Sequence, residues 1–301
     1  YNGEIQNRGL EIELAFKVIN TNDFKWNIGV NAAYNKNKIL KLPDNGLERN
    51  RQNAFQVYDP KTKELIWVGG YQEGQEPGAL YAFKYEGVYK SYDEIPGNLK
   101  DIAYKSSGLT LYGPDAWAAL PESEKVGSNG KPLALPIQPG DAKFKDVNGD
   151  GVVNGSDKVA IGATTKPNLT YGFGASAKWR GFDLNLLFQG VGKSSFFIEG
   201  STVFMFRNGD GGGNVLSQLA NGNRWIPREI SGTADTEDPN ATYPRLSYGG
   251  NNNNQQRSTF WLQDGSYMRL KTFELGYSLP KKVTRAMYCN NVRVFFIGTN
   301  L

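Results

Sequence analysis

Two neighbouring stretches of strict alternation constrain this chain more than anything else in it. LEIELAFKV, residues 10–18, sets Leu10, Ile12, Leu14, Phe16 and Val18 on one side and Glu11, Glu13 and Lys17 on the other. FKWNIGVNAAYNKN, residues 24–37, repeats the pattern with Phe24, Trp26, Ile28, Val30, Ala32 and Tyr34 opposite Lys25, Asn27, Asn31 and Asn35. The short link INTND between them makes a tight turn, so the pair predicts an antiparallel hairpin. Each strand runs for roughly ten residues, the length that crosses a bilayer when tilted.

A second pair follows the same rule. LTYGFGASAKW places Leu169, Tyr171, Phe173, Ala175, Ala177 and Trp179 opposite Thr170, Ser176 and Lys178. After a turn at Arg180-Gly181, FDLNLLFQG places Phe182, Leu184, Leu186 and Phe188 opposite Asp183, Asn185 and Gln189. RLKTFELGYSL sets Phe273, Leu275, Tyr277 and Leu279 against Thr272, Glu274 and Ser278. A soluble sandwich alternates too, so period two does not decide between the two architectures. The connections favour a barrel. The turns at 19–23 and 180–181 are short, whereas the links at 41–79, 91–165 and 194–257 are long, polar and rich in Gly, Pro and Asn. Short turns on one rim and long loops on the other match an outer-membrane plan. Tyr34, Tyr171, Trp179 and Tyr277 lie near strand ends, where interface girdles form. The expected fold is therefore all-β: part of an antiparallel transmembrane β-barrel with long extracellular loops. Wall strands are predicted near 7–19, 23–36, 80–90, 168–180, 181–190, 266–280 and 291–301. One short helix is predicted within 113–125, capped by Asp115 and ending before Pro121.

Composition narrows the chemistry. The chain contains no histidine, which excludes imidazole-dependent nucleophilic and metal chemistry within it. With 34 Lys+Arg against 30 Asp+Glu, the net charge of +4 gives no footprint for nucleic acid. Cys289 stands alone and cannot form an internal disulfide. The polar average does not argue against a membrane, because a barrel carries its lipid-facing residues at every second position. The first and last residues run within strands, and the chain is expected to be a piece of a longer protein.

DVNGDGVVNGSD, residues 146–157, has the oxygen spacing of a calcium loop. Asp146, Asn148, Asp150 and Asp157 offer side-chain oxygens, Val152 a backbone carbonyl, and Asn154 a ligand directly or through water, with Gly151 at the sharp turn. Asp157 replaces the usual Glu at the last position, and no amphipathic helices flank the loop, so it is not an EF-hand domain. Either the loop holds a structural Ca2+, or its Asn-Gly and Asp-Gly pairs merely supply turn angles. GVGKSS at 190–195 lacks the upstream glycine of a phosphate loop, and GFGASA at 172–177 sits in a strand, so neither reads as a nucleotide site. Glu11 and Glu13 could be taken for a glycosidase pair, but their i, i+2 spacing on a polar strand face reads more simply as lumen lining.

Taken in order, these local patterns resemble the C-terminal barrel portion of SusC/RagA-like TonB-dependent receptors. The resemblance is carried by GEIQNRGLEIELAFKVINTNDFKWNIGVNAAYNKNKIL (3–40), EPGALYAFKYEGVY (76–89), and the block from Gly140 to Gly190. It continues through RW (224–225), YPRLSYGGNNNN (243–254), STFWLQDGSYMRLKTFELGYSLP (258–280) and VRVFFIGTNL (292–301). The stretch around 98–135 departs from the pattern and reads as an insertion in the long loop region 91–165. The plug, the motif that engages TonB and the final strands are absent from the match. The resemblance implies residence in the outer membrane of a Gram-negative bacterium, with lipid on the apolar face. It implies import of an oligosaccharide or peptide with a SusD-like lipoprotein, driven by TonB–ExbB–ExbD through the part not present, and no enzymatic activity. The rival readings are a secreted, soluble, glycan-binding β module stiffened by calcium, and a secreted hydrolase using carboxylates.

Overall fold

The structure is a computed structural model, and it describes residues 3–95, 111–112, 119–125, 137–200, 203–204, 215–246, 251 and 253–301. Its frame is one six-stranded antiparallel sheet in which each strand pairs with the next wall strand in the chain. The strands are β1 (Glu4–Asn20), β2 (Phe24–Lys41), β3 (Leu169–Trp179), β4 (Phe182–Gly192), β5 (Tyr267–Ser278) and β6 (Arg293–Thr299). Local chemistry supports each turn between them. Thr21 ties its hydroxyl to the Phe24 carbonyl at 2.9 Å and accepts the Phe24 N–H at 3.0 Å. Arg180 and Gly181 both have positive φ, 45° and 92°, the requirement of a two-residue hairpin whose twist matches its strands.

Register turns the alternation into rows. Phe24, Trp179, Phe182 and Tyr277 lie side by side at the short-turn rim, with Phe182 and Tyr277 rings 4.4 Å apart. Towards the loop rim, successive rows on the same face join Phe16, Ile28, Ala175, Leu186 and Phe273, then Leu14, Val30, Phe173 and Phe188. Among the described residues nothing covers this face: Phe16 is 52% exposed and Leu14 48%. A sandwich buries such a face, so the exposed rows fit a barrel wall better. β3 spans 11 residues, which at ~3.4 Å each and a tilt near 45° gives about 26 Å, the height of an outer-membrane apolar band.

Two strand predictions need correction. Residues 80–90 do not join the wall. They form the short strands Tyr81–Ala82 and Tyr85–Val88, which pair with Val159–Ala160 and Ala142–Phe144. The reason is visible in burial: consecutive residues Ala82 and Phe83, and again Val88 and Tyr89, are buried, so the segment has no face left for lipid or water. Val18 is an extra, bulged residue, and Ile19 takes its place opposite Trp26. The helical turn predicted from Asp115 towards Pro121 falls largely on residues 113–118, outside the described residues; a short helix, Glu122–Lys125, follows Pro121. The wall also has a connection with no predicted counterpart, 279–292, which carries the helix Lys281–Ala286 at the short-turn rim.

The buried core lies outside the sheet. Phe83, Tyr89, Ile95, Ile137, Ala142, Phe144 and Val153 pack together within the long loops, with Tyr85 against them. Phe83 and Phe144 stack at 5.3 Å. Burial pushes the Tyr85 phenol up to about 12. β1 and β2 are 17 and 18 residues long and rise past the wall into this layer, where the Ile39 N–H reaches the Gln75 carbonyl at 3.0 Å.

Candidate functional site

The polar face of the sheet carries the charges that alternation predicts. One row joins Lys17, Asn27, Ser176, Asn185 and Glu274, and another joins Glu13, Asn31, Gly172, Gln189 and Arg269. Asn27 donates to Ser176 at 3.3 Å. At the short-turn rim Arg293 reaches across β5 to β4, with Nη2 2.5 Å from Asp183 Oδ2 and 2.5 Å from Glu274 Oε1. Gly276 permits this crossing, since a Cβ there would lie 2.4 Å from the guanidinium. Glu11 and Glu13 both lie exposed on the polar face of β1, opposite Ala33 and Asn31.

Above the wall, the loops are joined by a buried polar network that no sequence pattern had marked. Asp141 is fully buried, and Arg245, 8% exposed, places Nε 2.7 Å from its Oδ1. Asn251 donates to the same oxygen at 2.7 Å, and Asn254 does so at 3.2 Å. Asn254 also accepts the Ala142 N–H at 2.8 Å, and its carbonyl takes the Trp261 indole N–H at 2.8 Å. Burial pushes the Asp141 carboxyl up, while Arg245 and the amide donors pull against it. Asp141, Ala142, Arg245, Asn251 and Asn254 fall inside GDAKFKD and YPRLSYGGNNNN. An Asn run there reads as loop chemistry, and only an acidic residue paired in space with a distant Arg reveals the lock.

The six residues of the calcium-type loop are all described, and the structure closes the loop through its own backbone. Asp146 accepts the Gly149 and Gly151 N–H groups at 2.7 and 2.9 Å, and Asp150 accepts that of Val152 at 2.8 Å. Asn148 accepts the Asp150 N–H at 3.0 Å, and Asn154 caps Ser156 at 2.8 Å. Asp157 is buried and takes the Val147 and Asn154 N–H groups, each at 2.8 Å. Burial pushes its carboxyl up against those donors. All-oxygen chemistry suits calcium; among the described residues no three acidic, His or Cys side chains are grouped to hold a metal, so an ion here would need the Asn148, Val152 and Asn154 oxygens as well. The glycine-rich 190–192 stretch lies in β4 and GFGASA lies in β3, consistent with their rejection as nucleotide sites.

Similarity to known proteins agrees with this geometry. No family profile matches the chain. TonB-dependent receptor P3 of Formosa agariphila is 27% identical over 299 residues, covering 99% of this chain and 24% of the relative. TonB-dependent receptor P26 of the same organism is 25% identical over 301 residues, again covering 99% of this chain and 24% of the relative. The chain thus spans about a quarter of the length of the curated relatives it matches. Among solved structures, the RagAB peptide transporter aligns with a TM-score of 0.57 at 20% identity, over 99% of this chain and 25% of the other. The RagAB peptide importer in its closed-closed state aligns with a TM-score of 0.55 at 20% identity, over 99% and 26%. The fold is therefore an antiparallel β-barrel wall with its loop layer, similar to the barrels of TonB-dependent receptors. The resemblance of its motifs to those of SusC/RagA-like receptors is supported by these similarities, which for RagAB are similarities of fold.

Proposed function

We propose that the chain is part of the C-terminal barrel of a TonB-dependent active transporter in the outer membrane of a Gram-negative bacterium. The whole receptor would import oligosaccharides or peptides with a SusD-like surface lipoprotein and would draw energy from TonB–ExbB–ExbD. The observation that carries this reading is the uncovered apolar face, continuous over adjacent strands and backed by a polar face. Such a face is stable against acyl chains and unstable in water. The polar face would line the lumen, with Glu11 and Glu13 as lining charges and no part in bond breaking.

Expression of the full-length receptor tests this. It should fractionate with the outer membrane and run with a gel mobility that changes on heating, and uptake should cease without TonB. A freely soluble, EDTA-sensitive monomer would instead support the secreted glycan-binding module.

For residues 146–157 we propose a structural divalent cation, calcium by donor chemistry, that stiffens the outer loop. The support is the spacing of Asp146, Asn148, Asp150, Val152, Asn154 and Asp157, and the ion would be an accessory to transport. Calcium should raise the melting temperature of the wild-type receptor, and Asp146→Ala with Asp150→Ala should abolish the rise. No rise in the wild type removes the ion and leaves a self-closed turn.

A further inference from the structure

The connection from β5 to β6, residues 279–292, stands at the short-turn rim and carries the helix Lys281–Ala286. It contains Lys281, Lys282 and Arg285 and no acidic residue. We propose that this connection is a membrane-surface anchor. Lys281, Lys282 and Arg285 hold the phosphates of anionic phospholipids, and Val283, Met287 and Tyr288 lie in the headgroup layer. The proposal rests on the transporter reading above, which puts lipid against the apolar face of the wall, and gives that lipid a specific contact.

The helix is two-sided. At about 100° per residue, Val283, Ala286 and Met287 fall together at i, i+3 and i+4, whereas Lys281, Lys282 and Arg285 share the opposite side. Among the described residues none of the three cations has an ion-pair partner. A helix with one apolar and one basic side is stable in the plane of a membrane surface, where both sides find their solvent.

Its tethers fix its height. The chain leaves β5 just past Tyr277 and enters β6 just before Val294, which pairs with Tyr277. Tyr277 belongs to the aromatic row with Phe24, Trp179 and Phe182, so the helix begins and ends beside the ring level that marks a membrane interface. β5 and β6 bond directly to each other, and the Leu279 N–H reaches the Val292 carbonyl at 2.9 Å, so no other strand stands between the two ends of the helix.

Tyr288 supplies an independent observation. The helix closes with the Cys289 N–H on the Thr284 carbonyl at 2.9 Å, which puts Tyr288 at the left-handed position that glycine normally fills. Its φ is 54°, a strained backbone for a residue with a large side chain. The ring is 99% exposed, so no described residue offsets that strain. A membrane interface does, because it satisfies the apolar ring and the polar hydroxyl together. An acidic protein segment would match the cations alone. It leaves unexplained an apolar side set at the level of the lipid-facing rings.

The test is amide exchange of the purified full-length receptor in nanodiscs of phosphatidylcholine, and in nanodiscs where phosphatidylglycerol replaces part of that lipid. Exchange at residues 283–289 should slow severalfold with phosphatidylglycerol. Lys281→Gln combined with Lys282→Gln and Arg285→Gln should remove the difference. Tyr288→Gly should speed exchange in both lipids, even though glycine relieves the backbone; slower exchange in that variant means that the ring has no membrane partner and overturns the anchor. Equal exchange of the wild type in the two lipids overturns it too. So does equal slowing by inorganic phosphate in phosphatidylcholine nanodiscs, which marks a free-anion site. Protection in plain detergent that the triple variant leaves unchanged also overturns it, since another part of the receptor then covers the helix. Outer-membrane fractionation and heat-dependent mobility of the same preparations report separately on the transporter reading, so a receptor that passes them and shows no lipid dependence has lost only the anchor.

Discussion

The wall and the loop layer are made by the same chain under opposite rules. In the wall, large apolar side chains face outwards: Leu14 stands 48% exposed, and the rows around it pack only sideways. In the loop layer, Phe83 is 1% exposed and packs among buried neighbours as in any water-soluble core. The wall draws its backbone stability from ladders that satisfy every strand except at the sheet's two edges. Among the described residues the loops have short ladders, such as Phe55–Asp59 with Glu64–Val68, and rely on a buried ion pair, asparagine amides and aromatic contacts. The importer proposed above would need both. A rigid wall suits lipid on one side and a wet passage on the other, while folded loops can present shaped surfaces to cargo and partner.

The comparison breaks most sharply at Asp141. Asp141→Ala leaves Arg245 buried without its counter-charge, which should cost about 3–5 kcal/mol. Amide exchange in the full-length receptor should then rise across residues 138–144 and 253–261 while β1–β4 keep their protection. Equal loss in the wall would mean that the two regions fold as one unit. Next in size is Leu14→Arg, near mid-height on the apolar face. Urea titration of refolding into bilayers should show a loss of about 2–4 kcal/mol, and Glu13→Arg on the opposite face of the same strand should change little. A silent Leu14→Arg would deny that this face meets lipid.

Legibility in the sequence divides along the same line. Period-two alternation is local, so β1 to β5 could be read from single stretches, and Arg180-Gly181 announced its turn; β6 was placed as a strand without a clean alternation. The loop layer is built from long-range pairs that leave no period. Asp141 and Arg245 are over a hundred residues apart, and Asn254 accepts the Ala142 N–H from as far along the chain while holding nearby Trp261. The segment 80–90 misled for a related reason. Tyr81, Phe83 and Tyr85 alternate well enough to resemble a wall strand, but the Phe83 N–H and C=O are taken by Arg257 and Thr259, which draws the segment into the loops. The polar-face charges Glu11, Glu13 and Glu274 were visible from alternation. The spacing of 146–157 was plain to read, yet spacing alone does not tell an ion cage from a loop that caps its own N–H groups.

The smallest expected effect sits where the two regions join. Glu73 accepts the Leu42 N–H at 2.9 Å, just past the end of β2, and the Asn50 amide at 2.9 Å. These donors hold its carboxyl below the ordinary 4.5. The folded receptor therefore binds fewer protons here than the unfolded chain does. The contact's stability is fully present above pH 4.5 and is lost as pH falls through the depressed folded value. Protection of the Leu42 amide, corrected for intrinsic exchange, should fall on acidification in the wild type and lose that pH dependence in Glu73→Gln. Protection in β3 and β4 should stay flat over the same range. If Leu42 tracked β3 instead, the end of β2 would belong energetically to the wall, and the boundary between the two regions would have to move up the strand.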